Sequence, residues 1–149
     1  MSRFLTSTDL RVMRGQFKGG RQLFELIEDV VYESDLLGGV VIVPAGYVTD
    51  LASVPKLPLA WLVAGGTGSE AAVIHDYLYV VHAHNDEPIT RATADAVFRE
   101  AIAASGDTKA PGWLMWLAVR LGGGGAWDAP GPVQPDHVAV FLNGEMQSP

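Results

Sequence analysis

The sequence of 149 residues contains no cysteine, and its basic residues are few. Without cysteine the chain can form neither disulfide bonds nor cysteine-liganded zinc sites, and it has no thiol nucleophile. Ten Lys and Arg stand against 17 Asp and Glu, which gives a net charge of -7 at pH 7. Because phosphates and anionic lipids attract basic surfaces, we expect neither a nucleic-acid partner nor electrostatic docking on a membrane.

Long apolar runs are also lacking. The longest, Leu57–Gly66 and Trp113–Leu121, are shorter than the roughly 20 residues that cross a bilayer, and residues 1–10 contain no apolar signal segment. Apolar residues nevertheless make up 48% of the chain, which is enough to fill one core. The sequence therefore predicts one domain over residues 1–121, followed by a Gly/Pro-rich C-terminal arm over residues 122–149.

The first third of the domain indicates β structure. Three apolar stretches rich in β-branched and aromatic residues favour strands: Leu10–Met13, Gln22–Glu33 and Val40–Val43. Gly19-Gly20 is typical of a hairpin turn between the first two. Residues 47–55 are interpreted as a strand end that runs into a loop.

The second half indicates helices. A short one is predicted at Leu57–Val63, and three longer ones follow at Glu70–Val81, Arg91–Ser105 and Pro111–Leu121. Thr67 or Ser69 suits the N-cap of the first long helix, Thr90 that of the second, and Gly106 ends the second. The predicted fold is α+β, with a small N-terminal antiparallel sheet packed on three helices and an extended C-terminal arm.

The arm is predicted to lie extended because Pro130, Pro132 and Pro135 stiffen it after four consecutive glycines. Its apolar piece, Val138–Leu142, suits a strand that adds to the sheet edge of a neighbouring molecule. The alternative is that the arm folds back over its own domain.

Candidate site residues lie on the first two long helices. Tyr79 follows His75 by four residues and shares its helix face, while Asp95 near the start of the next helix can approach both across the connection. A carboxylate bonded to imidazole makes a general base, so His75, Asp95 and Tyr79 are predicted as catalytic. Asp76 and Asp50 are predicted as ligands of a hard cation, calcium or magnesium, and no residue is assigned to an organic cofactor.

A structural role for the same residues stays open, since a His75–Asp95 bond also stitches two helices together. Other candidates are weaker. Gly65–Gly68 lacks the lysine of a phosphate-binding loop. Trp113 and Trp116 share a helix face typical of core, and His82 and His84 are expected to be solvated.

Three motifs, taken in order, resemble the phage and prophage domain-of-unknown-function family 1353: Pro44–Pro55, Ala71–Tyr79 and Ala94–Phe98. The resemblance covers about residues 40–121 and implies a bacteriophage origin with a place in the virion or its assembly. It implies no chemistry, and the arm lies outside it.

The helix pair is also similar, more loosely, to the His-Asp-x-x-Tyr site of phospholipase A2 domains. That similarity implies His75 as base, Asp95 as its orienting carboxylate, Asp76 as calcium ligand and Tyr79 as support for Asp95. The disulfides and a clear calcium loop of that family are missing. A similarity to HD phosphohydrolases ranks lower, since no histidine precedes His75.

Two functions therefore follow. The first is a non-enzymatic bacteriophage virion protein, in the tail or tail tip, made in the host cytoplasm. Its partners are other virion proteins or further copies of itself. The second is a metal-assisted hydrolase of the host cell envelope that uses His75, Asp95 and Asp76.

Overall fold

The computed structural model describes residues 1–51, 69–106, 116, 119–120 and 123–147. Its strands are β1 (Arg3–Phe4), β2 (Leu10–Lys18), β3 (Arg21–Leu26), β4 (Val30–Ser34), β5 (Gly39–Val43), β6 (Val48–Thr49), β7 (Ala83–His84) and β8 (Glu87–Pro88). Its helices are α1 (Ser69–Val81), α2 (Arg91–Ala104), α3 (Gly124–Asp128) and α4 (Asp136–Gln147). Antiparallel sheets packed with helices confirm the predicted α+β class.

One sheet has the strand order β1-β4-β5, with every neighbouring pair antiparallel. Its two faces differ because side chains alternate along a strand. Val30 and Tyr32 of β4 are buried, whereas Val40 and Ile42 of β5 stay 40% exposed. Helices α1 and α2 contact this sheet and bury its apolar face.

A second sheet has the order β2-β3-β6, so the predicted single sheet is two three-stranded sheets. The predicted hairpin at Gly19-Gly20 is confirmed, and both φ angles, 55° and 77°, lie in the left-handed region that such a turn needs. The predicted continuous strand Gln22–Glu33 is wrong. It breaks at residues 27–29, because the Ile27 N–H donates to the Asp9 carbonyl and the Asp29 carboxylate accepts from the Ala45 N–H.

Helices α1 and α2 match their predicted ranges closely. Thr90 caps α2 as predicted, with its hydroxyl accepting from the Thr93 N–H at 3.1 Å, and Gly106 follows the helix with a φ of 71°. The connection between the helices is the short β7–β8 ribbon. Nine consecutive residues of α1, Ala71–Tyr79, are buried, so α1 is the central helix of the core.

The described part of the arm packs on its own domain. Residues 129–135 form neither a helix nor a strand. Val138–Leu142 is helical within α4, and Val138 and Leu142 are buried in the domain's own core. Side chains three or four residues apart share one face of a helix, and Val138 and Leu142 are four residues apart. The prediction that this segment adds a strand to a neighbour is therefore wrong, and folding back is the alternative that applies.

Several predictions fall outside the described residues: the helix Leu57–Val63, the cap at Thr67, the glycines at 65–68, Trp113, and most of the helix Pro111–Leu121. The predicted boundary between residues 121 and 122 falls there too. Among the helices described, none combines the length and the apolarity needed to cross a membrane.

Candidate functional site

The side chains of His75, Tyr79 and Asp95 contact one another at the α1–α2 interface. The Nε2 atom of His75 lies 2.9 Å from Oδ1 of Asp95, and the Tyr79 hydroxyl donates to the same oxygen at 2.5 Å. His75 and Tyr79 are one helical turn apart, which brings both onto the face that meets α2. The predicted contact between His75 and Asp95 is confirmed.

Arg120 completes this group, and its role was not predicted. Its Nη1 atom donates to Oδ2 of Asp95 at 2.9 Å, so both carboxylate oxygens are occupied. Its own carbonyl accepts from Arg91 at 3.3 Å. Arg120 lies 25 residues after Asp95, beyond the reach of any helical spacing. The only sequence signal was a lone charge at the end of an apolar run, which is weak. We call His75, Tyr79, Asp95 and Arg120 the buried network.

The electrostatics of the buried network depend on its complete burial. His75 and Asp95 are each 0% exposed. Burial lowers the pKa of His75 below its ordinary value of 6.5, and this outweighs the opposing effect of Asp95. Burial raises the pKa of Asp95, but the hydrogen bonds from His75, Tyr79 and Arg120 outweigh it and keep the carboxyl ionised. His75 is therefore neutral, and because Asp95 accepts, its Nε2 atom carries the proton.

The other ring nitrogen of His75 is less well satisfied. Nδ1 is buried and has no hydrogen-bond partner among the residues described. With the proton on Nε2, Nδ1 exposes a lone pair, the form of imidazole that accepts a proton in general-base catalysis. The ring itself packs against Tyr79 and Phe98, with centroid distances of 4.1 Å and 4.7 Å.

Asp76 and Asp50, the predicted metal ligands, belong to an adjacent group. The Thr49 hydroxyl donates to Asp76 at 2.5 Å, and both aspartates are 5% exposed. Complete burial and the nearby charge of Asp76 raise the pKa of Tyr47. The two aspartates and Tyr79 line a cavity of ≈ 50 Å³. Tyr79 thus borders both groups.

The donor set for a metal ion is small. Within the ranges given above, no group of three or more His, Asp and Glu side chains is arranged to hold one. Asp50, Asp76 and the Thr49 hydroxyl supply hard oxygen atoms of the kind calcium and magnesium take. The assignment of Asp50 and Asp76 as ligands stays a prediction.

The arm contacts the back of this site. The Trp127 ring of α3 stacks on His82 with a centroid distance of 3.9 Å and meets Tyr79 edge-on at 5.0 Å. The sequence predicted that His82 is solvated, but its ring packs against Trp127. Gln134 uses its carboxamide to accept from the Val48 N–H and donate to the Val48 carbonyl, at 2.8 Å and 2.7 Å.

Comparison with known proteins gives one result. Residues 24–119 match the family model described as "Protein of unknown function (DUF1353)". The match includes all five predicted site residues and ends one residue before Arg120. No curated protein and no solved structure matches the chain.

Proposed function

We propose that this chain, which belongs to the DUF1353 family, is a non-enzymatic structural protein, a tail-associated component of a bacteriophage particle. The phage assignment rests on the resemblance of the three motifs. The non-enzymatic assignment rests on the buried network.

The closure of the buried network supports an architectural role. A general base must come within hydrogen-bond reach of its substrate. His75 and Asp95 are 0% exposed, and both oxygens of Asp95 already accept hydrogen bonds. The buried Asp95 carboxylate, with both oxygens bonded, gives a unique arrangement to the elements that it joins, here α1, α2 and the segment that holds Arg120.

The C-terminal arm gives no support to this proposal. A strap that binds a neighbouring subunit would be a reason to prefer a structural protein. Val138 and Leu142 lie instead in the core of their own domain. A surface for other subunits is therefore to be sought elsewhere on the molecule.

Two substitutions at His75 test the proposal. His75→Ala leaves Asp95 short of one donor and is expected to destabilise the fold by about 1–3 kcal/mol. His75→Gln restores an amide N–H near the position of Nε2 and removes the basic nitrogen. In phage that carry each variant, particle incorporation, measured by mass spectrometry of purified virions, should follow stability: reduced for Ala and near normal for Gln. Absence of the wild-type chain from purified particles would refute the proposal.

A second candidate is a hydrolase of the host cell envelope, favoured by the unpartnered Nδ1 of His75. The His75, Asp95 and Tyr79 contacts agree with the roles that the phospholipase A2 similarity implies. Asp95 would orient the imidazole, and Nδ1 would take a proton from an attacking water.

Fatty-acid release from phospholipid vesicles with added calcium tests this candidate. Here His75→Gln should abolish fatty-acid release although the protein stays folded. In the structural role, by contrast, the same variant should be incorporated into particles at a near-normal level. No release above a protein-free blank, at high concentrations of folded wild-type protein, would eliminate the phospholipase version.

A further inference from the structure

Basic residues are concentrated in one segment of this acidic chain. Residues 10–24 contain Arg11, Arg14, Lys18 and Arg21 and no acidic residue. The rest of the chain carries all 17 acidic residues and only six basic ones. The segment is most of the β2–β3 hairpin, which has one acidic residue, Glu25, near the end of β3, so the molecule has a basic hairpin on an acidic body.

Charge at the turn end of the hairpin is neutralised only in part. Lys18 donates to the Pro130 carbonyl and lines the same cavity as Asp50 and Asp76. Lys18 and Arg21 are directly opposite each other in the β2–β3 register, where like charges repel. Arg11 is paired with Glu25 at 2.7 Å, and Nη1 of Arg21 is buried without a partner in the described part of the chain, so the exposed Arg14 is the charge most accessible from outside. An opposite charge from outside would relieve this repulsion.

An apolar groove lies beside these charges. It has a volume of ≈ 400 Å³ and is lined by Met13, Phe17, Leu23, Pro132 and Val133, among others. Phe17 is 61% exposed and Val133 is 93% exposed. Contiguous exposed apolar surface rimmed by charge is typical of an interaction site. We call this groove with Arg14, Lys18 and Arg21 the basic end.

The other end of the same hairpin has the opposite charge. Beyond β3, the exposed residues Ile27, Glu28 and Asp29 form a turn, and the Ile27 side chain is 53% exposed. The register runs from Leu10 opposite Leu26 to Lys18 opposite Arg21. The six residues of β3 set the length at about 17 Å, at roughly 3.3 Å per residue, because β2 bulges between Val12 and Phe17. We call residues 27–29 the acidic end.

We propose that the basic end of one molecule binds the acidic end of a second copy, head to tail. Ile27 would enter the groove beside Phe17, and Glu28 and Asp29 would face Arg14, Lys18 and Arg21. Such a contact leaves one free end of each kind, so it builds a closed ring or an open line. A copy of this chain fits the basic end because its acidic end places an exposed apolar side chain, Ile27, beside the carboxylates of Glu28 and Asp29. This inference does not depend on the proposed function.

Paired charge reversals test the proposal with the purified full-length chain. Association is measured by sedimentation velocity over a concentration series, at about 0.03 M and about 0.5 M salt, where screening differs strongly. The wild type should associate at low salt and dissociate at high salt. Arg14→Glu alone and Glu28→Arg alone should each weaken association at least about tenfold, because each places like charges in contact.

The decisive measurement is an equimolar mixture of the two variants. The Glu at position 14 of one then meets the Arg at position 28 of the other, and the two unchanged ends also match, so the mixture should associate where each variant alone does not. Glu87→Arg, an exposed reversal on β8, is the control and should behave as wild type. Thermal melts establish that each variant folds, and Gln16→Glu replaces Arg14→Glu if that variant does not.

Three results would overturn the proposal. The first is a wild-type chain that stays monomeric at low salt and high concentration. The second is a mixture that associates no better than its components. The third is binding of duplex DNA that Arg14→Glu abolishes in a monomeric wild type, which would assign the basic end to a nucleic acid.

Discussion

The state of His75 predicts how stability depends on pH. Burial keeps the pKa of His75 below 6.5 in the folded chain, whereas the unfolded chain restores the ordinary value. As the pH falls through about 6.5, the unfolded state therefore takes up a proton that the folded state refuses. The stabilisation is complete above this pH and is lost progressively below it, until the lower pKa of the folded state is reached.

The magnitude has an upper limit set by one proton. A difference of one bound proton changes the free energy of unfolding by about 1.4 kcal/mol per pH unit, so His75 accounts for up to about 2 kcal/mol between about pH 6.5 and about pH 5. His75→Gln carries no such proton and should show a flatter pH dependence. The two curves should converge as the pH falls.

Urea unfolding of both proteins at constant ionic strength, followed by tryptophan fluorescence, measures this difference. Contributions that are common to both proteins cancel when one stability curve is subtracted from the other. A wild-type advantage that is constant over this range would show that His75 does not change protonation on unfolding. An advantage that grows as the pH falls would show a charged imidazolium paired with Asp95, contrary to the assignment made from its burial.

Other predictions concern the arm, the second carboxylate group and one turn. Leu142→Ala should lower the free energy of unfolding by about 2–5 kcal/mol, because the Leu142 side chain is only 5% exposed. Val140→Ala on the same helix should change it by less than about 0.5 kcal/mol, because Val140 is 72% exposed. Equal effects of the two variants in urea unfolding would contradict the packing of α4. Calcium or magnesium should raise the melting temperature only if Asp76 binds the ion, and Asp76→Asn should then remove the rise; an architectural role predicts no rise at all. Gly46→Ala should cost about 1 kcal/mol or more in the same unfolding assay, since its φ is 84° and a Cβ atom would lie 2.5 Å from Nε2 of His137; an unchanged midpoint would show that this turn relaxes freely.

Much of the local structure followed from the sequence because its signals are local. Gly19-Gly20 specifies a turn through its positive φ angles, and Thr90 specifies a helix start through its own hydroxyl. The contact of His75 with Asp95 was also accessible, since helical spacing and a short connection limit where two helices can meet.

What was missed depends on distant contacts. Asp95 receives Arg120 from 25 residues away, and nothing in local spacing marks that pair. The prolines of the arm agree with the lack of helix and strand over residues 129–135. The core position of Leu142 depends on the space left by distant elements, and a short apolar run fits a strand or a helix equally.

The contact of Gln134 with Val48 has a consequence for how the chain folds. Its carboxamide pairs with the backbone at the edge of β6 at a sequence separation of 86 residues, and His137 approaches Ala45 at a separation of 92. Contacts of such long sequence separation form late and slow folding. During translation, the edge of β6 therefore stays unpaired until residue 134 has left the ribosome. In that interval it is a surface for misassembly with other nascent chains, and the rate at which the arm docks sets how long the risk lasts.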